Sequence, residues 1–159
     1  MSPASLRRVV ILIALALLAA ASTTVATAQQ RASEKKAVDK PLFIEYKGVR
    51  IGMDADEVRK KLGEPTDKGD IQDFFQFTEK ESCQVYYDKV RKVMAVSINY
   101  VGDASGAPLP KVVLGVEIEA KSDGAMYKMI RYPEDGYWVS YNKTGGADPL
   151  VTVTMQKIQ

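Results

Sequence analysis

Residues 51–65, with the sequence IGMDADEVRKKLGEP, predict one complete short helix, the clearest structural signal in the chain. Asp54 followed three residues later by Glu57 matches a capping box, in which each side chain accepts a hydrogen bond from a free backbone N–H group of the first turn. Gly63 can end a helix, and the proline two residues later cannot continue one. We therefore predict a helix over about residues 55–62. Its polar residues all have structural roles, so the segment indicates no reaction.

The N-terminus has the organisation of a secretory signal peptide. Arg7 and Arg8 precede an apolar run over residues 9–21, and the small-x-small triplet Ala26-Thr27-Ala28 follows. The run is shorter than the roughly 20 residues of a transmembrane helix, which favours a cleavable signal over a retained anchor. No Ser or Thr directly precedes the arginine pair, which favours general secretion over twin-arginine export. We predict a signal peptide over residues 1–28 and a flexible leader over residues 29–40, which lack aromatic residues and apolar periodicity.

The charge balance argues against a nucleic-acid partner. The chain has 22 Lys and Arg against 20 Asp and Glu, and residues 1–28 contain only Arg7 and Arg8 as charged residues, so their removal leaves 20 of each sign. Acidic and basic residues are interspersed, as in Glu79-Lys80-Glu81. Nucleic-acid affinity depends mainly on clustered Lys and Arg. We therefore expect no nucleic-acid partner, and no stable membrane span after signal cleavage.

Cys83 is the only cysteine, so the chain has no internal disulfide. A lone thiol in an exported protein can pair between molecules or react. Strand alternation, however, places Cys83 on one face with Val85 and Tyr87. We therefore interpret it as a buried, small apolar side chain.

Apolar and aromatic runs of strand length, separated by turn signals, follow the leader. They predict six strands, at residues 74–78, 83–88, 93–100, 125–132, 137–142 and 150–157. The two halves align as a degenerate repeat, residues 43–102 and 109–159, in which a helical element precedes three strands. We predict an α+β fold in a single domain over residues 41–159, with short helices packed on one face of an antiparallel sheet of about six strands.

The pattern G-V-R-I-G-M-x-x-x-E-V-x-x-x-L-G-x-P over residues 48–65, followed by an aromatic strand and a hairpin, carries a family resemblance. It resembles the SmpA/OmlA (BamE-like) family of bacterial envelope proteins, and the tandem arrangement resembles the beta-lactamase-inhibitor-protein fold. BamE-like members are lipoproteins that assist outer-membrane protein assembly. This chain differs by having no cysteine near the predicted cleavage site and by carrying a second half.

Catalytic chemistry has few candidates in this sequence. The chain contains no histidine, which excludes nucleophile–histidine pairs and histidine metal sites. Asp67, Asp70 and Asp73 recur at every third residue, but DKGDIQD lacks the ligand spacing of a helix-loop-helix calcium loop. We interpret these three aspartates as a solvated loop rather than a calcium or acid–base site. We predict no catalytic residue, no metal site and no cofactor.

The sheet offers a better candidate for function. If Val85, Val139, Val151 and Val153 face the helix, alternation places a polar and aromatic set on the opposite face. That set is Gln84, Tyr86, Trp138, Ser140, Thr152, Thr154 and Gln156, and the repeat alignment adds Ser97 and Asn99. Rigid aromatic area combined with adaptable hydrogen-bonding groups is typical of recognition surfaces. An ordinary solvated face is the alternative, because Thr and Tyr also suit strands.

These observations favour an exported, non-enzymatic binding module of the bacterial cell envelope that acts by protein–protein contact. The expected partner is an envelope protein, and the expected location is the periplasm or the exterior. The first alternative is a secreted inhibitor of a hydrolase, and the second is a carboxylate-dependent enzyme.

Export is directly testable. We predict that the mature chain begins at Gln29 and is recovered in the soluble fraction, because the apolar segment is removed and no lipid acceptor remains. N-terminal sequencing of the exported protein checks this. Recovery of the chain in the membrane fraction with residues 7–21 retained would contradict it.

Overall fold

The computed structural model describes residues 40–102 and 104–159. The predicted signal peptide, and the predicted leader apart from Lys40, lie outside the described residues. Within the described part, the elements are α1 (Ala55–Leu62), β1 (Asp67–Lys68), β2 (Gln72–Gln76), β3 (Glu81–Tyr87), β4 (Val93–Tyr100), α2 (Pro110–Leu114), β5 (Met126–Tyr132), β6 (Tyr137–Lys143) and β7 (Val151–Lys157).

All seven strands belong to one sheet with the order β1-β2-β3-β4-β7-β6-β5, and every neighbouring pair is antiparallel. Tight turns connect several neighbours. At the β5–β6 turn, Gly136 has a φ of 77°, a conformation that favours glycine, and its N–H donates to the carbonyl of Tyr132 at 3.0 Å. The pairing of β4 with β7 joins the two halves of the chain near the centre of the sheet.

The predicted fold class is wrong. The structure is predominantly a seven-stranded antiparallel sheet with little helix, and not a six-stranded α+β sheet built from two helix-plus-three-strand repeats. The first half contributes four strands and the second three, and α2 has only five residues, little more than one turn. Strand β1 is absent from the sequence prediction because it has no apolar alternation. Both of its residues, Asp67 and Lys68, are exposed at the sheet edge.

Helix α1 confirms the predicted bounds but not the predicted cap. It covers Ala55–Leu62, and Gly63 follows with a φ of 87° and an N–H bond to the carbonyl of Arg59 at 2.9 Å. Asp54 occupies the N-cap position without forming a side-chain cap hydrogen bond. Its Oδ2 accepts instead from Nζ of Lys92 at 2.7 Å, so the capping-box prediction is wrong. The Asp54 carboxylate therefore bonds to the Lys92 ammonium group instead of to a backbone N–H of α1.

The core lies on one face of the sheet, under the two helices and the segments that flank them. Fully buried side chains come from both helices and from the central strands: Val58, Val113, Leu114, Val85, Val96, Ile98, Val139, Val151, Val153 and Met155. Cys83 belongs to the same cluster and is completely buried, which confirms its interpretation as a small apolar residue. Burial raises the pKa of the Cys83 thiol to about 12, so it stays protonated and unreactive.

A buried ion pair fastens α1 to the sheet. Asp73 on β2 is fully buried, and both its oxygens accept from Arg59 of α1: Nε to Oδ2 at 2.8 Å and Nη2 to Oδ1 at 2.9 Å. The hydroxyl of Tyr87 on β3 donates to Oδ2 at 2.8 Å, and the N–H of Gly69 donates to Oδ1 at 3.2 Å. The interpretation of Asp73 as a solvated loop residue is therefore wrong. Asp67 and Asp70, the other two aspartates of that group, are exposed to solvent. The carboxylate is buried because it has four donors.

Two opposing effects determine the pKa of Asp73. Burial raises it, while the hydrogen bonds from Arg59, Tyr87 and Gly69 lower it, and together they hold the pKa below its ordinary value of 3.8. The carboxylate is therefore charged in the folded protein at neutral pH. It acts as a structural anion with its lone pairs occupied.

Removing the cation of this pair should be costly. Arg59→Ala leaves a buried carboxylate without its partner and should lower the free energy of unfolding by about 3–5 kcal/mol. Lys60→Ala, an exposed position on the same helix, should change it by less than about 0.5 kcal/mol. Urea titrations of both variants measure the difference, and equal midpoints would show that the pair does not hold the helix.

The lowered pKa of Asp73 also predicts how stability depends on acid. Because the unfolded state binds this proton more readily than the folded state, the stabilisation is present above the ordinary value of 3.8 and is lost as the pH falls through the lower, folded-state pKa. Between about pH 5 and pH 2, the free energy of unfolding should fall more steeply in the wild type than in Asp73→Asn. Asp70→Asn, at an exposed position nearby, controls for loss of a carboxylate. Parallel curves for wild type and Asp73→Asn would contradict the prediction.

Candidate functional site

Strand alternation gives the sheet two faces of different character. One packs under the helices, and we call the other the open face, because neither helix contributes to it. Directly paired residues of antiparallel strands share a face, so the strand registers define its members. They are Asp67, Gln72, Phe74, Gln76, Ser82, Gln84, Tyr86, Ala95, Ser97, Asn99, Thr152, Thr154, Gln156, Trp138, Ser140, Asn142, Tyr127, Met129 and Arg131.

The structure places all seven sequence-predicted site residues on the open face, together with Ser97 and Asn99. They fall into rows that cross the sheet, and the row at one end contains Tyr86, Ala95, Gln156 and Trp138. The next row contains Gln84, Ser97, Thr154 and Ser140, and the third contains Asn99, Thr152 and Asn142. Trp138 and Tyr86 are partly exposed, while Ser140 is mostly buried between its neighbours.

Some of these polar groups are already paired within the sheet. The hydroxyls of Ser97 and Thr154 lie 3.2 Å apart, and the hydroxyl of Thr152 donates to Oδ1 of Asn99 at 2.9 Å. These cross-strand bonds fix side-chain rotamers at the centre of the face. By contrast, the side chains of Gln84, Gln156 and Tyr86 have no hydrogen bond within the described residues, so their donors and acceptors remain available.

A groove adjoins the aromatic row at one end of the open face. It has a volume of about 450 Å³, and its lining includes Ile71, Tyr86, Met94 and Gln156. Ile71 is 73% exposed, which is high for a side chain of its size and apolar character. The groove offers apolar contact area beside free amide groups, the combination that commonly receives a side chain of a protein partner.

Sequence reasoning missed several residues of this face. Phe74 begins a predicted strand, but the sequence assigns it to neither face. Tyr127, Met129 and Arg131 lie on the open face of β5, where the sequence MYKMIRY has no alternation clear enough to assign one. Met129 and Tyr127 are 41% and 62% exposed. The β5–β6 register, which pairs Met129 with Ser140, is the information that places them.

The opposite side of the sheet holds a second polar cluster, which is structural. The hydroxyl of Tyr46 donates to Oε1 of Glu81 at 2.5 Å, and Nζ of Lys47 lies 3.4 Å from the same oxygen. Nζ of Lys47 also lies 4.7 Å from the ring centre of Phe77. Burial, aided by the bond to Glu81, raises the pKa of the Tyr46 phenol, so it remains a neutral donor. Tyr46, Lys47 and Glu81 are therefore partners of one another in this cluster.

The segment that carries the family resemblance is used for packing. Val49 and Val58 are completely buried in the core, and Gly52 has a φ of 84°, which favours glycine. Backbone bonds between Tyr46 and Val49 fold the chain into a tight turn before α1. Among the described residues, no group of three or more His, Cys, Asp or Glu side chains is arranged to hold a metal ion.

Comparisons with protein-family models, with curated proteins and with solved structures gave no match. The resemblance to the SmpA/OmlA family and to the inhibitor-protein fold therefore stays a prediction. Within the described ranges, no helix combines the length and the apolar character needed to cross a membrane.

Proposed function

We propose that this protein is an exported, non-enzymatic binding module of the bacterial envelope, and that it recognises a partner protein through the open face. The observation that carries the proposal is the row containing Tyr86, Gln156 and Trp138 beside the groove at Ile71. Two partly exposed aromatic rings there flank an amide that has no bond within the described residues.

The composition of the face supports contact with protein. Aromatic side chains bury much area at a low entropic cost, and glutamine, asparagine, serine and threonine adapt their hydrogen bonds to a partner backbone. The rigid cross-strand bonds of Ser97 and Asn99 hold the centre of the face in one arrangement before binding. Preorganisation of this kind reduces the entropy lost on association.

The buried groups support a non-enzymatic role. The carboxylate of Asp73 is occupied by Arg59 and Tyr87, and the thiol of Cys83 is buried and protonated. The chain has no histidine to serve as a base. If the resemblance to the inhibitor-protein fold holds, a hydrolase is one class of partner that the face would meet.

Truncation of Trp138 tests the proposal. Trp138→Ala should keep cooperative unfolding but weaken partner capture from envelope extract by about 30-fold or more, since central aromatic anchors commonly contribute about 2 kcal/mol or more. Tagged protein, pull-down and mass spectrometry identify the partner, and titration with that partner gives the affinity.

Two exposed positions outside the open face provide controls. Val112→Ala on α2 truncates an apolar side chain that is 64% exposed, and Lys121→Ala removes a charge before β5. Neither should affect capture. A Trp138→Ala variant that folds and captures its partner as well as the wild type would contradict the proposal.

A further inference from the structure

The open face carries its charges at opposite edges. Asp67 lies on β1 at one edge of the sheet and Arg131 on β5 at the other, and both are exposed. The residues that the five intervening strands place on this face are uncharged. Neither Asp67 nor Arg131 has an ion-pair partner within the described residues. The face is therefore neutral across its width, with one free anion and one free cation at its two ends.

A face with this pattern is complementary to a copy of itself. We propose that the open face of the free protein is covered by a second copy of this chain, related by a two-fold axis that runs parallel to the strands over β4. This inference rests on the proposed function, because it assigns an occupant to the same protein-binding face. Capture of an envelope partner then requires the dimer to dissociate.

The proposed axis brings unlike charges together. Because β4 is the central strand of the order β1-β2-β3-β4-β7-β6-β5, rotation about an axis over it exchanges the two edges. Strand β1 of each copy then lies over β5 of the other, and the strand registers place Asp67 opposite Met129, one row from Arg131. One row is two residues, about 7 Å along the strand, which an extended arginine side chain can span. The symmetric interface therefore brings Asp67 and Arg131 within reach of each other twice. A two-fold axis perpendicular to the strands would superpose like edges and set Asp67 against Asp67, which electrostatic repulsion disfavours.

The same rotation matches the uncharged residues. Strand β2 of one copy lies over β6 of the other, so Phe74 faces Ser140, with Trp138 in the neighbouring row. Phe74 and Trp138 are then close enough for their rings to pack, and aromatic pairs attract beyond their buried area. Strand β3 lies over β7, which brings Gln84 of one copy over Thr154 of the other, with Gln156 in the neighbouring row. Amides both donate and accept, so a self-complementary pairing satisfies the groups that are free in one chain.

The area of the face is sufficient for a dimer. Seven strands spaced about 4.8 Å apart, with three rows of open-face residues along most strands, give a contact area of roughly 600 Å² per copy. The pair would bury roughly 1,200 Å² in total, which is at the lower limit of specific interfaces and predicts reversible association. Aligned packing of two sheets at about 10 Å suits such a contact.

Charge reversal tests the contact. Sedimentation equilibrium over a dilution series, on the chain as it is recovered after export, should show a monomer–dimer equilibrium. Asp67→Arg and Arg131→Glu should each raise the dimer dissociation constant at least about tenfold, because two symmetric attractions become repulsions. Lys128→Glu makes the same charge change as Arg131→Glu on the same strand, but it pairs with Tyr141 on the other face and should have no such effect.

Complementation makes the test specific to this geometry. Mixing the Asp67→Arg and Arg131→Glu chains should restore dimerisation to within about threefold of wild type, since each contact in the mixed dimer then joins opposite charges. The double variant Asp67→Arg, Arg131→Glu should dimerise like the wild type. A wild type that stays monomeric at every concentration, or reversals that leave the dimer unchanged, would overturn the proposal. Failure of the mixture to recover would overturn the two-fold arrangement, and circular dichroism shows whether each variant is folded.

The outcome is separable from that of the proposed function. If the protein is monomeric but Trp138→Ala still abolishes capture of an envelope partner, the self-association inference fails and the proposed function stands. The opposite outcome is that the charge-reversal variants behave as predicted, but Trp138→Ala captures the same envelope proteins as the wild type or neither captures any. The dimer then stands and the envelope-partner proposal fails.

Discussion

The contact between Arg59 and Asp73 is the interaction on which the rest of this structure depends. It joins α1 to β2 through two short hydrogen bonds, and Tyr87 extends the connection to β3. A buried ion pair contributes little net stability, but loss of one partner is severe, because the remaining charge stays desolvated. The pair therefore fixes where α1 lies more than it adds to stability, and this placement covers one face of the sheet and leaves the other open.

The two faces of the sheet consequently differ in how their side chains are stabilised. On the core face, valine, isoleucine and leucine side chains gain stability from burial, and the polar groups among them need complete sets of partners, as at Asp73 and at the Tyr46–Glu81 pair. On the open face, hydroxyl and amide groups such as Thr152 and Asn99 bond across the strands, while Gln84 and Gln156 keep unused capacity. That unused capacity, beside Trp138 and the exposed Ile71, is the feature on which the proposed recognition role rests.

The sequence predicts features that depend on local patterns and misses those that depend on distant pairing. The bounds of α1 follow from Gly63 and the six longer strands from their apolar runs, but β1 consists of exposed Asp67 and Lys68 and exists only through pairing with β2. Asp73 appears solvated in sequence because its partner, Arg59, lies fourteen residues away on a helix. Alternation around Val139 and Val153 gives the facing of Trp138 and Thr154, whereas the facing of Met129 and Arg131 requires the β5–β6 register.

The edges of the sheet explain why association would use a face. An exposed edge strand invites a further strand, and proteins limit this by shortening the edge or charging it. Here β1 has only two residues, and β5 carries Lys128 and Arg131 on its two sides. Desolvating those cations without a counter-charge would oppose strand addition at β5. Arg131 lies on the open face, and in the proposed dimer it approaches Asp67 of the second copy. The residue that protects the edge would then also favour contact through the face.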